Sequence, residues 1–450
     1  MAQADSRPNI LFFFSDQQRW DTCGCYGQKL PVTPNLDRMA ARGVRFANAY
    51  TCQPVCGPAR AALQTGRFPA QIGCQTNHRR LPMDAKTVAH CLGDIGYETA
   101  YVGKWHLASC GERGGEDDFR ERPVPPARRG GYRDWWVASD TLEFTSHSYD
   151  GHMFDADGNK VEMDGTTYRA DFVTDQVLRF LDTRSGAAPW YCMVSYIEPH
   201  HQNDHNCYEG PKGSKERWAD YEVPGDLEET EGDWRENYPD YLGCCHSLDA
   251  NLGRIFDKLE ELGVADNTLV IYTSDHGSHF RTRNSEYKRS CHDGCTHIPM
   301  VFHGPGFTGG RTADALASLL DVPSTILRAA GCEPMPTMQG RALQDAVDGP
   351  PADWRDAVYI QISESQCGRA LRTPRWTYAV DDPDRTRHDP WGTRYVESHL
   401  YDNDADPHQR NNLVASPGHE AIRAELRGLL LRRIVEAGEP EPAIVPAPSA

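Results

Sequence analysis

Three groups of residues in this chain have the types and spacing for chemistry on an anion. Cys56 opens the run Cys56-Gly57-Pro58-Ala59-Arg60, followed by Ala61-Ala62-Leu63-Gln64-Thr65-Gly66-Arg67. Pro58 suits the first turn of a helix, where a missing N–H costs nothing. Ala61, Ala62 and Leu63 are good helix formers, and Gly66 suits the stop. Cys56 therefore falls at a helix N-terminus, where free N–H groups and the dipole favour an anion. Arg60 lies about one turn on and can point at the same spot. Ser15-Asp16-Gln17-Gln18 and Ser274-Asp275-His276-Gly277 each follow an apolar run. Two acidic residues at strand ends, distant in sequence, make a natural cradle for a hard divalent cation, which prefers oxygen ligands. In Gly103-Lys104-Trp105-His106-Leu107, Lys104 and His106 flank Trp105, so an extended backbone places them on one face.

The elements that must position these groups are legible as an alternation of helices and buried strands. Ile10–Phe14 reads as a strand ending at Asp16, and Asn35–Arg42 as a helix with Thr33 as cap, Pro34 in the first turn and Gly43 as stop. Thr87–Ile95 and Glu98–Val102 form another helix–strand pair. Val124–Trp136 reads as a loop, Tyr168–Thr183 as a helix, Trp190–Tyr196 as a buried strand, and 201–233 as a polar excursion. Leu242, Cys245, Leu248, Leu252, Ile255, Leu259 and Leu262 recur at helical spacing before Gly263. The strand Leu269–Thr273 then leads to Asp275. This alternation predicts an α/β fold with a largely parallel sheet sandwiched by helices. Sites in such sheets gather beyond the carboxyl ends of strands, where Asp16 and Asp275 fall. After about Gly349 the texture changes. Ala357–Ile362, Arg375–Ala379 and His399–Tyr401 read as short strands and Glu420–Ala437 as a terminal helix. The expected division is 1–348 and 349–450, with a frayed Pro/Ala-rich tail from about 438.

Composition sets bounds. The 450 residues are 39% hydrophobic, enough for a large core with a smaller domain attached. A net charge of −18 argues against nucleic acid as a partner. It also requires a local basic cluster to draw any anionic substrate. The apolar run near the N-terminus is too short for a signal-peptide core or a membrane span. With fifteen cysteines, the expectation is reduced thiols in a cytoplasmic setting, without a membrane partner.

The Cys56–Arg67 run resembles the signature of formylglycine-dependent (type I) sulfatases of the alkaline phosphatase superfamily, C-x-P-x-R followed by T-G-R. Gly96-Tyr97-Glu98-Thr99 with Lys104-Trp105-His106 resembles the second sulfatase signature, and Leu400-Tyr401-Asp402 the family's small C-terminal antiparallel sheet with a helix. The resemblance implies that a maturation enzyme oxidises Cys56 to formylglycine, whose hydrate is the nucleophile. It assigns Asp16, Gln17, Asp275, His276 and the modified Cys56 to the metal. It assigns Arg60, Lys104, His106, His200 (in Glu198-Pro199-His200) and Lys288, thirteen residues after Asp275, to catalysis. Many sulfatases carry a second Asp at the Gln17 position and Asn at the His276 position. Gln and His are similar instead to phosphonate monoester hydrolases and some carbohydrate sulfatases. The implied cofactor is therefore one divalent metal, calcium first, with manganese or magnesium admitted by the nitrogen ligand.

In the implied reaction the metal with Arg60, Lys104 and Lys288 neutralises the sulfate. His200 or Lys288 protonates the departing alcohol, and His106 assists release of sulfate. Asn77, Arg79, Arg281 and Arg283 are candidate substrate contacts. Trp135, Trp136 and Trp218 are candidate stacking platforms for sugars. The expected substrate is a sulfated saccharide, and a homo-oligomer is compatible with the sequence. Two alternatives keep the same nucleophile: an arylsulfatase, and a phosphonate monoester or phosphodiester hydrolase. A distant alternative is a non-catalytic metal- or thiol-sensing protein, prompted by Cys23-Gly24-Cys25, Cys244-Cys245 and Cys291/Cys295. His297, where the family often has arginine, leaves that contact unassigned.

Overall fold

The computed structural model describes residues 7–184 and 188–447. The first six residues and 448–450, which bear on the readings of the N-terminus and the tail, lie outside the described residues. Ten strands build the main sheet: β1 Asn9–Ser15, β2 Val44–Tyr50, β3 Glu98–Lys104, β4 Trp135–Ser139, β5 His152–Phe154, β6 Lys160–Glu162, β7 Trp190–Ser195, β8 Thr268–Ser274, β9 Met300–His303 and β10 Arg311–Ser318. Their order is β10-β2-β9-β8-β1-β7-β3-β4-β5-β6. β8, β1, β7, β3 and β4 run parallel, whereas β9 is antiparallel to both its neighbours.

Alternation along β1 explains why this strand lies in the middle. Ile10, Phe12 and Phe14 enter one hydrophobic core, and Leu11 and Phe13 enter the other. A strand apolar on both faces must have both faces covered. The helix Trp234–Glu261 covers one side through Leu248, Leu252, Ile255 and Leu259. The helices Cys56–Thr65, Val88–Asp94 and Asp321–Ala329 cover the other.

The second sheet has five strands, β11 Val358–Ile362, β12 Gly368–Arg372, β13 Trp376–Asp381, β14 Arg394–Asp402 and β15 Ala443–Val445, in sequence order. It is antiparallel except for β14 with β15. The helix Glu420–Glu436 packs on it through Leu426, Leu430 and Ile434.

Three local expectations need correction, and a fourth holds for a different reason. Trp135 and Trp136 begin β4 and are not part of the loop before it. The tail does not fray at 438: β15 pairs with β14, and buried Glu439 accepts from Arg369, Tyr359 and Gln361. Thr33 precedes its helix but does not cap it. Its Oγ1 accepts from Gly24 N at 2.9 Å, and Asp249, from another helix, takes the Asn35 and Leu36 amides. Gly43 ends that helix as expected, though without a left-handed turn. Its requirement is close approach, since a Cβ there would meet Phe302 O at 2.1 Å. Among the described residues no helix is long and apolar enough to cross a membrane.

Candidate active site

The site forms where four neighbouring parallel strands end together. Ser15 is level with Ser274, and Phe14 and Gly103 with Ser195. The chain leaving β8 therefore delivers Asp275 and His276, and β1 delivers Asp16 and Gln17. β7 leads to His200, and β3 supplies Lys104 and leads to His106. Gly103 has φ +104, and a Cβ there would sit 2.0 Å from Ser195 O, so only glycine lets β3 end this close to β7. The helix Cys56–Thr65, buried along its whole length, aims its N-terminus at the same point.

Cys56 Sγ lies 3.3 Å from Asp16 Oδ1, 3.3 Å from His276 Nε2 and 2.8 Å from Lys288 Nζ. Asp16 Oδ2 receives Arg60 at 3.0 Å and Lys104 at 2.9 Å. Lys104 also contacts Glu143 at 3.0 Å, and Lys288 contacts Gln17 Oε1 at 3.2 Å and His200 Nε2 at 3.1 Å. Burial alone would raise the Asp16 carboxyl. Lys104, His200, Arg60 and Lys288 together outweigh it and hold Asp16 well below the usual carboxylate range. Asp275 has no such pairing, so burial and the nearby Asp16 charge push it up to about 7. Burial, then Asp16, pushes the Cys56 thiol up to about 12. Burial, then a neighbouring lysine, lowers His106, His200 and His276 well below the ordinary imidazole value.

One ligand atom each from Asp16, Cys56, Asp275 and His276 lies within 4.8 Å of the others. The hydrogen bonds around them prepare the group for a cation. Asp275 Oδ1 accepts from the backbone of Gln17 and His276, each at 2.8 Å, while Oδ2 is buried without a partner. His276 Nδ1 lies 2.9 Å from Gly277 O. A carbonyl can only accept, so Nδ1 carries the proton and Nε2 presents its lone pair toward Cys56. Gln17 Nε2 donates to Tyr208 at 2.6 Å, which turns Oε1 toward the site. These residues fit a divalent cation.

Above the cradle lies a polar cavity of about 280 Å³. Its lining contains Gln17, Cys56, Asn77, His106, His200 and Lys288 from the sequence-predicted set. Asn77 Oδ1 accepts from Gly57 N at 2.9 Å, so this residue also braces the Cys56 helix. Lys104 and His106 converge without sharing an extended strand, because His106 has φ +60. Gln17, His78 and Arg289, which also line the cavity, have φ of 71, 59 and 72. Such clustering of positive φ at non-glycine residues marks a functional site.

The structure removes three predicted arginines from this cavity. Arg79 is exposed outside it, Arg281 lies over the Tyr287 ring and pairs with Asn206, and Arg283 lines a different cavity beside His292 and His408. The tryptophans are not sugar platforms either. Trp136 and Trp218 are buried in hydrophobic clusters, and Trp135 packs on Phe180. His297 stacks on Trp20, with centroids 4.4 Å apart, and faces Ala47 O. All fifteen cysteines are free.

Sequence reasoning missed Glu143, His78, Tyr287 and Arg289, which line the cavity from loops and a four-residue helix. Glu286-Tyr287-Lys288-Arg289 is contiguous with a predicted residue, and that adjacency was the available signal.

Comparisons with known proteins show what the chain is similar to. A family model described as Sulfatase matches residues 8–332, and one described as N-sulphoglucosamine sulphohydrolase, C-terminal, matches 285–436. An ulvan-active sulfatase of Formosa agariphila is 28% identical, covering 96% of this chain and 82% of the relative. An N-acetylglucosamine-6-O-sulfatase of Bacteroides thetaiotaomicron is 26% identical, covering 94% of this chain and 86% of the relative. A sulfatase structure from Bacteroides fragilis superposes with a TM-score of 0.84 at 25% identity, covering 98% of both chains.

Proposed function

Because the chain belongs to the sulfatase family, enzymes that hydrolyse sulfate esters, we propose that it removes sulfate from a carbohydrate at this site. In this reading Cys56 is converted to formylglycine, and Asp16, Gln17, Asp275 and His276 hold one divalent cation. The observation that carries it is the buried cradle around Cys56, in which Asp275 Oδ2 lacks a partner and His276 presents Nε2. The sulfated-saccharide names of the two relatives support the substrate class.

The encoded thiol supports the conversion. With its pKa pushed up to about 12, Cys56 is almost wholly protonated at neutral pH and is a poor nucleophile. It is 1% exposed, in a helix with every residue buried. A maturation enzyme must therefore reach it before the fold closes. When present, the cation offsets sulfate charge and the hydrated aldehyde provides an oxygen nucleophile.

The remaining work falls to side chains. Arg60 and Lys104 hold Asp16 ionised and oriented. Lys288 sits between Cys56 Sγ and His200 Nε2, where its ammonium can face both the sulfate and the departing oxygen. His200 donates Nδ1–H to His201 O at 2.6 Å, so its Nε2 accepts from Lys288. Lys288 is thus the proton donor to the leaving alcohol, with His200 as its positioning partner. His106, with both ring nitrogens unpartnered, can take the proton that accompanies sulfate release. Glu143 Oε2, buried and unpartnered on the cavity wall, can accept a sugar hydroxyl.

Gln17 and His276 keep phosphonate monoester hydrolysis as the second reading. Matured protein should be assayed for product release from a panel of mono-sulfated hexosamines and from an aryl phosphonate monoester. The sulfatase reading expects sulfate release from at least one saccharide with the higher kcat/KM. Faster turnover of the phosphonate than of every sulfate would reverse the assignment.

A further inference from the structure

We infer that the chain carries a second metal site, outside the catalytic cradle, in which His147, Asp204 and His205 bind a divalent cation of the zinc class. One ligand atom from each of the three lies within 4.8 Å of the other two. His147 Nε2 is 2.8 Å from Asp204 Oδ2, and the His147 and His205 rings stack with centroids 4.4 Å apart.

The surrounding groups are arranged as metal ligands require. Asp150 Oδ1 lies 3.4 Å from His147 Nδ1, and Glu209 Oε1 pairs with His205 Nδ1. Each imidazole therefore has a carboxylate near Nδ1, and a bound ion would replace the His147 Nε2–Asp204 Oδ2 hydrogen bond with a coordinate bond to each. Gln202 Nε2 holds Asp204 Oδ1 at 2.8 Å, and Ser148 Oγ holds Glu209 Oε2 at 2.7 Å. Three carboxylates around two imidazoles offset a double positive charge. Two imidazole nitrogens and one carboxylate oxygen, with water as fourth ligand, form a borderline donor set that suits zinc. The catalytic cradle, richer in oxygen, suits a harder ion.

The site joins two segments that frame the catalytic cavity. His147 belongs to the loop that follows the short helix Leu142–Thr145, and Asp204 and His205 to the loop after β7. Gln202 Nε2 also donates to Glu143 O at 3.0 Å, and both Glu143 and Asn203 line the cavity. A bound ion would fix the spacing of these two walls.

The full-length protein, saturated with calcium, should be titrated with Zn²⁺ by calorimetry and with Co²⁺ by visible absorption. The expected result is one zinc equivalent beyond calcium, a tetrahedral cobalt spectrum, and a zinc-dependent rise in melting temperature. His147→Ala and His205→Ala should each abolish the spectrum. Glu209→Gln, which keeps the shape but weakens the support of His205, should lower zinc affinity roughly 10- to 100-fold. The variants' melting temperatures without zinc should match the parent's, showing that the fold is kept. No second equivalent in the parent, or unchanged zinc binding in the His147→Ala/His205→Ala double variant, would overturn the proposal.

Discussion

Lys288 Nζ stands 2.8 Å from Cys56 Sγ and 3.1 Å from His200 Nε2, a placement that makes a specific demand on kinetics. A proton donor to the leaving group matters most when that group is a poor one, as a sugar alkoxide is. Lys288→Met should lower kcat about 10²- to 10⁴-fold on a saccharide sulfate. The loss should be much smaller on an aryl sulfate, whose phenolate departs unaided. Equal losses on both would assign Lys288 to sulfate binding alone. The residues that gather around Cys56 at strand ends were legible in the sequence, because an apolar run followed by Asp states both where the strand stops and what it delivers. Glu143 was not, because its position depends on the short helix after β4 folding back over Lys104. Arg281 and Arg283 followed Asp275-His276-Gly277 closely in sequence, yet tertiary packing turned them toward Tyr287 and a separate cavity.

Elements are held in register by contacts that no local pattern announces. The helix Pro34–Arg42 starts with two amides satisfied by Asp249, 0% exposed, from the helix Trp234–Glu261. Asp249→Ala orphans both and should cost about 1–2 kcal/mol of stability. Its pH dependence has a definite sign. Burial raises the folded-state Asp249 pKa to about 6, above the ordinary 3.8. The group's contribution to stability is therefore full below about pH 4 and declines as pH rises through 6. The parent's advantage over Asp249→Ala should shrink across that window by at most about 3 kcal/mol. Urea melts of both proteins at pH 4 and 7 check this, and a growing advantage would contradict it. The sequence named Thr33 as the cap because capping is normally local. Similarly, β2 and β10 escaped notice, since Val44-Arg45-Phe46-Ala47-Asn48 and Arg311-Thr312-Ala313-Asp314 carry partner-dependent strand signals and few bulky apolar residues.

At the scale of the whole molecule, the C-terminal sheet is fastened by the segment between the helix Glu420–Glu436 and β15. Glu439 and Arg369 form a buried ion pair at 2.7 Å, with Tyr359 and Gln361 also donating to the carboxylate. Gln361 in turn accepts from Ala70 N, which follows the Cys56 helix. Removing one member of such a pair leaves a buried charge, so Glu439→Ala should cost about 3–5 kcal/mol in a denaturant melt. A change under 1 kcal/mol would show that the tail is dispensable. Composition suggested fraying here because Pro and Ala dominate, while the one residue that matters, Glu439, is a single charge with a distant partner. The four strand ends and the buried helix meet at Cys56, so the account stands on what Cys56 becomes. Its most direct test is the mass of the Cys56-containing peptide from protein made in its native host and active on a sulfate ester. The account predicts loss of sulfur and two hydrogens with gain of one oxygen. An unmodified thiol in protein that turns over the ester would contradict it.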